Sequence, residues 1–178
     1  MIFYREIEET ELTRDLFRSF RRRQVVTDCW RRVDGQWTIQ PDPFVDDWSE
    51  ADYAVLVRCL KNTAATGGLV YGAFVDGELK GFVSVEGPLT GSRAQYADLS
   101  SIHVSEDMRG RGIGRELFAA AKRFAREQHA EKLYISAHSA VESQAFYRAM
   151  GCTEAEEYQA EHVEREPYDC QLECALLP

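Results

Sequence analysis

Ser101-Ile-His-Val-Ser-Glu-Asp-Met-Arg-Gly-Arg-Gly-Ile-Gly-Arg-Glu-Leu-Phe118 carries an apolar extended segment through a glycine-rich turn into a helix. Gly110, Gly112 and Gly114 strip side chains from the turn, so backbone N–H groups can approach a ligand closely. The helix that starts there adds the positive end of its dipole. Arg109, Arg111 and Arg115 raise the local positive potential, which suits a diphosphate better than a lone carboxylate. Two common phosphate loops fail on spacing. A Walker loop needs Lys after its last glycine, and none is present; the dinucleotide pattern Gly-x-Gly-x-x-Gly would need glycine where Arg115 stands. The segment predicts an anion site that serves neither an ATPase nor a nicotinamide enzyme.

The spacing that does fit is Arg109-x-x-Gly112-x-Gly114, with a strand before it and an amphipathic helix after it. A second element follows: the strand Lys132-Leu-Tyr-Ile-Ser-Ala-His138, then Ala145-Phe-Tyr-Arg-Ala-Met-Gly-Cys152, a short helix ending in glycine. In order and distance the two resemble the acetyl-CoA pyrophosphate loop (Arg/Gln-x-x-Gly-x-Gly/Ala) and the Ala-x-x-Phe-Tyr-x-x-x-Gly-Phe end of the GNAT-superfamily N-acetyltransferases. The resemblance is specific over residues 69–152 and weak before them, where that family itself varies.

The resemblance implies an α/β (α+β) fold, a mixed central sheet of about six to seven strands with helices on both faces and splayed central parallel strands. It implies acetyl-CoA as the donor, with the diphosphate held at Arg109, Gly110, Arg111, Gly112, Ile113, Gly114 and Arg115. A bulge in the preceding strand would free the backbone N–H groups of Ile102 and Val104, on either side of His103, for the pantetheine and the acetyl carbonyl. Tyr147 matches the family tyrosine near the thioester sulfur, and a phenol of pKa about 10 can give a proton to a departing thiolate. Where many members carry Asn this chain has Ala140; Ser139 is expected to take over that cofactor contact and, with Glu142, to form a capping box. For the base, Asp98 stands where members often carry an acid on the central strand, and Glu86 ends the neighbouring strand; His103 and His138 are further candidates. A water chain would also serve.

Composition sets outer limits. The chain has 178 residues, 44% of them hydrophobic, enough for one sizeable core, and we expect a single acetyltransferase domain over residues 1–178. Within it, residues 25–50 are the variable acceptor-side region and residues 96–152 the acetyl-CoA-binding core. With 21 basic against 30 acidic side chains the net charge is -9. Such a surface disfavours nucleic acid and anionic membranes and is compatible with a cationic amine. Cys29, Cys59, Cys152, Cys170 and Cys174 are odd in number and lack Cys-x-x-Cys spacing, which reads as a reducing cytoplasm, with Cys170 and Cys174 as small core residues of a strand. No apolar leader precedes the acidic N-terminal stretch, no run is long enough to span a bilayer, and no metal site is expected. A homodimer is compatible with the sequence.

Along the chain, Ile2 to Ile7 predicts a strand and Thr10 to Phe20, with Leu12, Leu16, Phe17 and Phe20 at helical spacing, a helix. Arg18 and Arg21 to Arg23 then read as a solvated helix end or a CoA-proximal patch. Val25 to Phe44 predicts a hairpin turning at Asp34-Gly35, a departure from the one or two helices that usually shape the family's acceptor site. The mixture of Asp42, Asp46, Asp47 and Glu50 with Phe44 and Trp48 could hold an ammonium group, or could simply start the helix Glu50 to Asn62 capped by Ser49 with Asp52. Leu69 to Val75 and Leu79 to Val85 predict a second hairpin at Asp76-Gly77, and Tyr96 to Val104 the central strand. The helix from Gly112 to His129 has one apolar face. Two final strands are expected near 153–160 and 169–177, joined by a Glu-rich run, Glu161 to Glu166, read as a solvated turn or as facing the acceptor.

Three functions follow. The first is an acetyl-CoA-dependent N-acetyltransferase acting by direct attack on the primary amine of a small cationic molecule. The second is acetylation of a protein N-terminus or lysine. The third is a non-catalytic acyl-CoA-binding module.

Overall fold

Two Asp-Gly pairs set the hairpins. Asp34 and Gly35, and again Asp76 and Gly77, all take positive φ (51, 77, 50 and 79°), the conformation of a two-residue turn whose twist matches that of the strands it joins. In the computed structural model, which describes residues 1–176, the first pair joins β2 (Arg23–Val33) to β3 (Gln36–Asp47) in a long two-stranded ribbon. The second joins β4 (Leu69–Val75) to β5 (Glu78–Val85) inside the main sheet.

That sheet also holds β1 (Ile2–Glu6), β6 (Tyr96–Val104), β7 (Lys132–Ala137), β8 (Thr153–Glu154) and β9 (Cys170–Ala175). Its seven strands run in the order β1-β4-β5-β6-β7-β9-β8, antiparallel except where β6 meets β7. A strand, helix and parallel strand require a crossover, and α2 (Ile113–Glu127) supplies it. Its buried stripe, Ile113, Leu117, Phe118, Ala121 and Ala125, packs on one face of the sheet against Ala73, Val83, Val85, Ala97, Leu99, Leu133 and Ile135. Each of the larger side chains contributes about 1.5–3 kcal/mol by leaving water. The other face carries α1 (Glu50–Ala65) over β4 and β5, with Phe17 and Phe20 both 5.4 Å, centroid to centroid, from Phe82. Ser49 caps α1 as expected, accepting from Asp52 N–H at 3.2 Å while Asp52 accepts from Ser49 N–H.

Four expectations are corrected. The stretch from Thr10 to Phe20 is two 3₁₀ turns, Glu9–Glu11 and Arg14–Phe17, because Thr13 is extended (φ -131°, ψ 165°); the apolar residues still bury, so spacing reported the packed face and not the helix. Arg22 is no solvated terminus, being 6% exposed. The strand expected over 153–160 shrinks to Thr153–Glu154, and the Glu-rich run forms a short helix, α4 (Ala160–Arg165). Ser139 does not cap α3 (Val141–Ala149): the cap position belongs to Ala140, and the Ser139 hydroxyl accepts from Arg31 Nη1 at 2.7 Å, tying the β2–β3 ribbon to the end of β7. Of the last expected strand, Leu177 lies outside the described residues.

Candidate active site

The parallel pairing of β6 and β7 lasts only from Tyr96–Lys132 to Asp98–Tyr134, after which the strands part and leave a cleft. Ser100 is an extra residue on β6: Ser101 pairs with Ser84 and Leu99 with Val85. This bulge flips the alternation, so that Ala97 and Leu99 before it and Ile102 and Val104 after it all turn toward α2. Ser105 spends its N–H on Lys80 C=O (2.8 Å), on the β5 side. Because a strand's N–H groups alternate between its edges, those of Ile102 and Val104 face the open cleft. The Val104 carbonyl faces it too, accepting from Arg109 Nε at 3.4 Å.

Beyond β6 the chain makes the glycine turn. Gly110 and Gly112 have φ of 77° and 82°, and a Cβ on either would meet nothing within 4 Å, so backbone conformation alone demands glycine and the surface above stays open. Gly112 is the N-cap of α2 and brings no capping side chain, which leaves the first N–H groups of the helix free for an anion. A Cβ on Gly114 would lie 3.0 Å from Phe146, so that glycine admits close packing of α3 on α2. Together the turn and the cleft bound a cavity of about 640 Å³, which Ile102, His103, Val104, Arg109, Gly110, Gly112, Ile113, Gly114, Arg115 and Tyr147 all line. The donor set, open N–H groups and two arginines at one end and an apolar cleft at the other, fits a diphosphate with a long neutral arm. Arg111 is exposed, and neither it nor the buried Ser139 lines this cavity.

At the far end sits Tyr147, on α3, its pKa pushed up by burial, so its hydroxyl is a proton donor at any working pH. His103 and His138 also line the cavity. His103 Nδ1 accepts from Arg22 Nε at 3.1 Å, and His138 Nδ1 accepts from Ala140 N–H at 3.1 Å. Neither donor can act as an acceptor, so each ring carries its proton on Nε2. Both rings titrate below the ordinary histidine value, chiefly through burial, with Arg22 acting the same way on each and Asp46 opposing at His138. They are neutral donors, an arrangement unsuited to a base.

The two expected carboxylates lie on the sheet face opposite α2, outside the cavity lining. Asp98, 8% exposed, is the last residue of β6 paired to β7, at the root of the cleft. Its Oδ2 lies 2.8 Å from His162 Nε2 of α4, and its Oδ1 is buried without a partner. That contact, ahead of the opposing effect of burial, raises the His162 pKa. Glu86 accepts from Thr63 Oγ1 (2.8 Å) and from Ser100 Oγ (2.5 Å), and the chain runs on through Ser84 to Ser101. Of the acidic residues near the ribbon, Asp42 pairs with Arg31 and Asp46 with Arg22, while Trp48 packs 4.8 Å from His103.

Arg22 and His162 fall in segments for which a site-side place is only the second reading of the sequence, and neither is singled out there by residue. Arg22 sits in an arginine run that reads as surface, and His162 among glutamates. The interruption of each run by its surroundings in three dimensions left no periodic signal.

Among the described residues no helix is long and apolar enough to cross a membrane, and no group of His, Cys, Asp or Glu is arranged to hold a metal ion. A comparison with curated proteins finds no match. Among solved structures, nourseothricin acetyltransferase superposes with TM-score 0.72 at 18% identity, covering 99% of both chains. A Bacillus anthracis protein assigned as a streptothricin acetyltransferase, in complex with acetyl coenzyme A, gives TM-score 0.72 at 17% identity over 98% of both chains. The PaiA N-acetyltransferase of Thermoplasma acidophilum, in complex with coenzyme A, gives 0.60 at 14% identity over 98% of this chain and 99% of that one. These likenesses show the fold. The family model described as the acetyltransferase (GNAT) family matches residues 33–152, which takes in the bulged strand, the glycine turn and the Phe146-Tyr147 helix, and the chain belongs to that family.

Proposed function

We propose that this acetyltransferase moves the acetyl group of acetyl-CoA to the primary amine of a small molecule that arrives as an ammonium cation, by direct attack with both substrates bound. The observation that carries the reading is the continuity of one cavity from the free N–H groups of the glycine turn, past the open edge of β6, to Tyr147. Nourseothricin and streptothricin acetyltransferases among the similar folds support a small amine acceptor.

When bound, acetyl-CoA supplies an activated thioester carbonyl. The turn from Arg109 to Arg115 binds the diphosphate through N–H groups, with Arg109 and Arg115 adding charge. Ile102 and Val104 N–H fix the arm and polarise the carbonyl without any side chain. Asp98, outside the cavity lining at the root of the cleft, takes through a water chain the proton that the ammonium must lose, its unpaired Oδ1 being the acceptor. Glu86, linked to the bulge through Ser100, is the second candidate for that task. Tyr147 then gives its phenolic proton to the departing thiolate, and the second proton that the nitrogen sheds on becoming an amide restores the phenol. This reading includes a single domain with residues 25–50 as the acceptor-side element, and a cytoplasmic location, in keeping with five free cysteines.

Thiol release from acetyl-CoA across a panel of small amines, with N-terminal and lysine peptides in parallel, tests it. Saturable release with a small amine supports the reading. Release with peptides alone moves the assignment to protein acetylation. A rise in melting temperature with acetyl-CoA but no release with any acceptor indicates a binding module.

A further inference from the structure

The chain is acidic, yet its cavity is not. Among the lining residues stand three arginines, Arg22, Arg109 and Arg115, and a single carboxylate, Glu142. Arg109 and Arg115 belong to the glycine turn. Arg22 lies on the sheet face opposite α2, with Trp48 and His103, close enough to Arg109 and Tyr147 to be coupled to both electrostatically. Its guanidinium carbon lies 5.4 Å from the Trp48 ring centroid.

The Arg22 guanidinium is held from three directions. Nε donates to His103 Nδ1 (3.1 Å), and Nη2 donates to Gln24 Oε1 and to Asp46 Oδ2 (both 3.2 Å). Nη1 is buried and hydrogen-bonds nothing. An unmet buried donor costs about 1–3 kcal/mol, more when charged, and the cost disappears when an oxygen acceptor comes alongside. Two further donors, the Nε2–H groups of His103 and His138, belong to rings lining the same cavity, both fixed in that tautomer by what binds Nδ1. An array of N–H donors around a fixed, planar cation suits a carboxylate.

On the reading that the cavity acetylates amines, we infer that the acceptor also bears a carboxylate, held by Arg22 with help from His103 and His138, so that the substrate class is an amino acid or a similar amino-carboxylate. The acetyl arm is served from the open edge of β6 and the α2 side, so Arg22 is left for the acceptor. Asp46 balances the guanidinium charge and orients it without occupying Nη1. A polyamine would find one free carboxylate along the lining, Glu142, against three arginines, and an acceptor carboxylate beside Arg22 resolves both the surplus of donors and the unpaired Nη1.

The test compares amino acids with amines that lack only the carboxylate, such as lysine with cadaverine and phenylalanine with phenethylamine. Thiol release and the melting temperature of the desulfo-CoA complex are both read. The preferred amino acid should exceed its partner in kcat/KM by about tenfold or more, the discrimination that one charge-assisted hydrogen-bond pair supplies. In Arg22→Gln the preference should fall to about threefold or less, with Arg22→Lys intermediate and the acetyl-CoA melting shift kept in both, which shows that the variants fold. Equal kcat/KM within every pair, or a preference that survives Arg22→Gln, overturns the inference and leaves amine acetylation standing. If no amine of either kind releases thiol, amine acetylation itself fails. The melting temperatures then decide: a rise with the amino acid, absent with its partner and absent in Arg22→Gln, sustains carboxylate binding, and no such rise overturns it.

Discussion

His162 Nε2 lies 2.8 Å from Asp98 Oδ2, at the point where β6 and β7 cease to pair. The His162 ring stacks on Tyr134, with centroids 5.6 Å apart and planes 23° from parallel, and so holds the Asp98 carboxylate in one orientation with Oδ1 free. If Asp98 receives the proton of the incoming ammonium, Asp98→Asn lowers kcat/KM by about 10²–10⁴-fold. The loss is greatest at low pH, where few acceptor molecules are already deprotonated. A pH profile checks this; an equal loss at every pH assigns Asp98 a structural role.

The same pair contributes to stability with a definite sign. Contact with Asp98 raises the His162 pKa in the folded chain, so the stabilisation is fully present below the ordinary histidine value of about 6.5 and is lost as pH rises through the raised value. His162→Gln should therefore destabilise the protein more at pH about 5 than at pH about 8. Denaturant melts at the two pH values measure it, and an equal effect at both contradicts a charged pair.

Asp169 behaves in the opposite way for a carboxylate. Burial outweighs the hydrogen bond from Ser136 (2.9 Å) and pushes its pKa up to about 6. A raised acid favours the folded state when protonated, so this contribution is present below the unfolded pKa of about 4 and lost by about pH 6. Asp169→Asn should gain on the order of 2 kcal/mol at pH about 8 relative to pH about 4. No pH dependence in the difference between the two proteins would refute it.

Gly112→Ala tests the glycine turn. The added methyl meets no atom within 4 Å, but φ of 82° is a conformation an L side chain resists. Strain of about 1–2 kcal/mol should rotate the turn out of shape and weaken acetyl-CoA binding by about 5–30-fold, with little change in the melting temperature of the free protein. Calorimetric titration reads the affinity. Unchanged affinity would move the diphosphate elsewhere.

What was legible in the sequence is what local chemistry dictates. The Asp-Gly turns, the Ser49–Asp52 cap, the stripe on α2 and the glycine turn each need particular residues at particular offsets, and each formed where expected. Less legible was anything that depends on residues distant in the chain. Thr13 breaks a run whose spacing reads as helix, because burial of Leu12, Phe17 and Phe20 against Phe82 needs only the right side chains facing inward. Ser139 turned to Arg31, far away in sequence, over the cap its neighbours advertised. Arg22 and His162 owe their places to β6 and the ribbon, and nothing in their own segments records it.

Tyr147, which lines the same cavity as the glycine turn, is the proposed acid. Tyr147→Phe keeps the ring in its packed place beside Phe146, 5.3 Å away, and removes only the hydroxyl. Turnover should drop by about 10²–10⁴-fold while the melting shift with acetyl-CoA is kept; unchanged turnover would exclude Tyr147 as the acid.

The most direct measurement of the whole account is an initial-velocity study with acetyl-CoA and the preferred amine both varied, the product being identified by mass spectrometry. Direct attack in the cleft predicts intersecting double-reciprocal lines, one N-acetylated amine per thiol released and no acetyl group left on the protein. Parallel lines with an acetylated protein, or thiol release that does not depend on the amine, would contradict it.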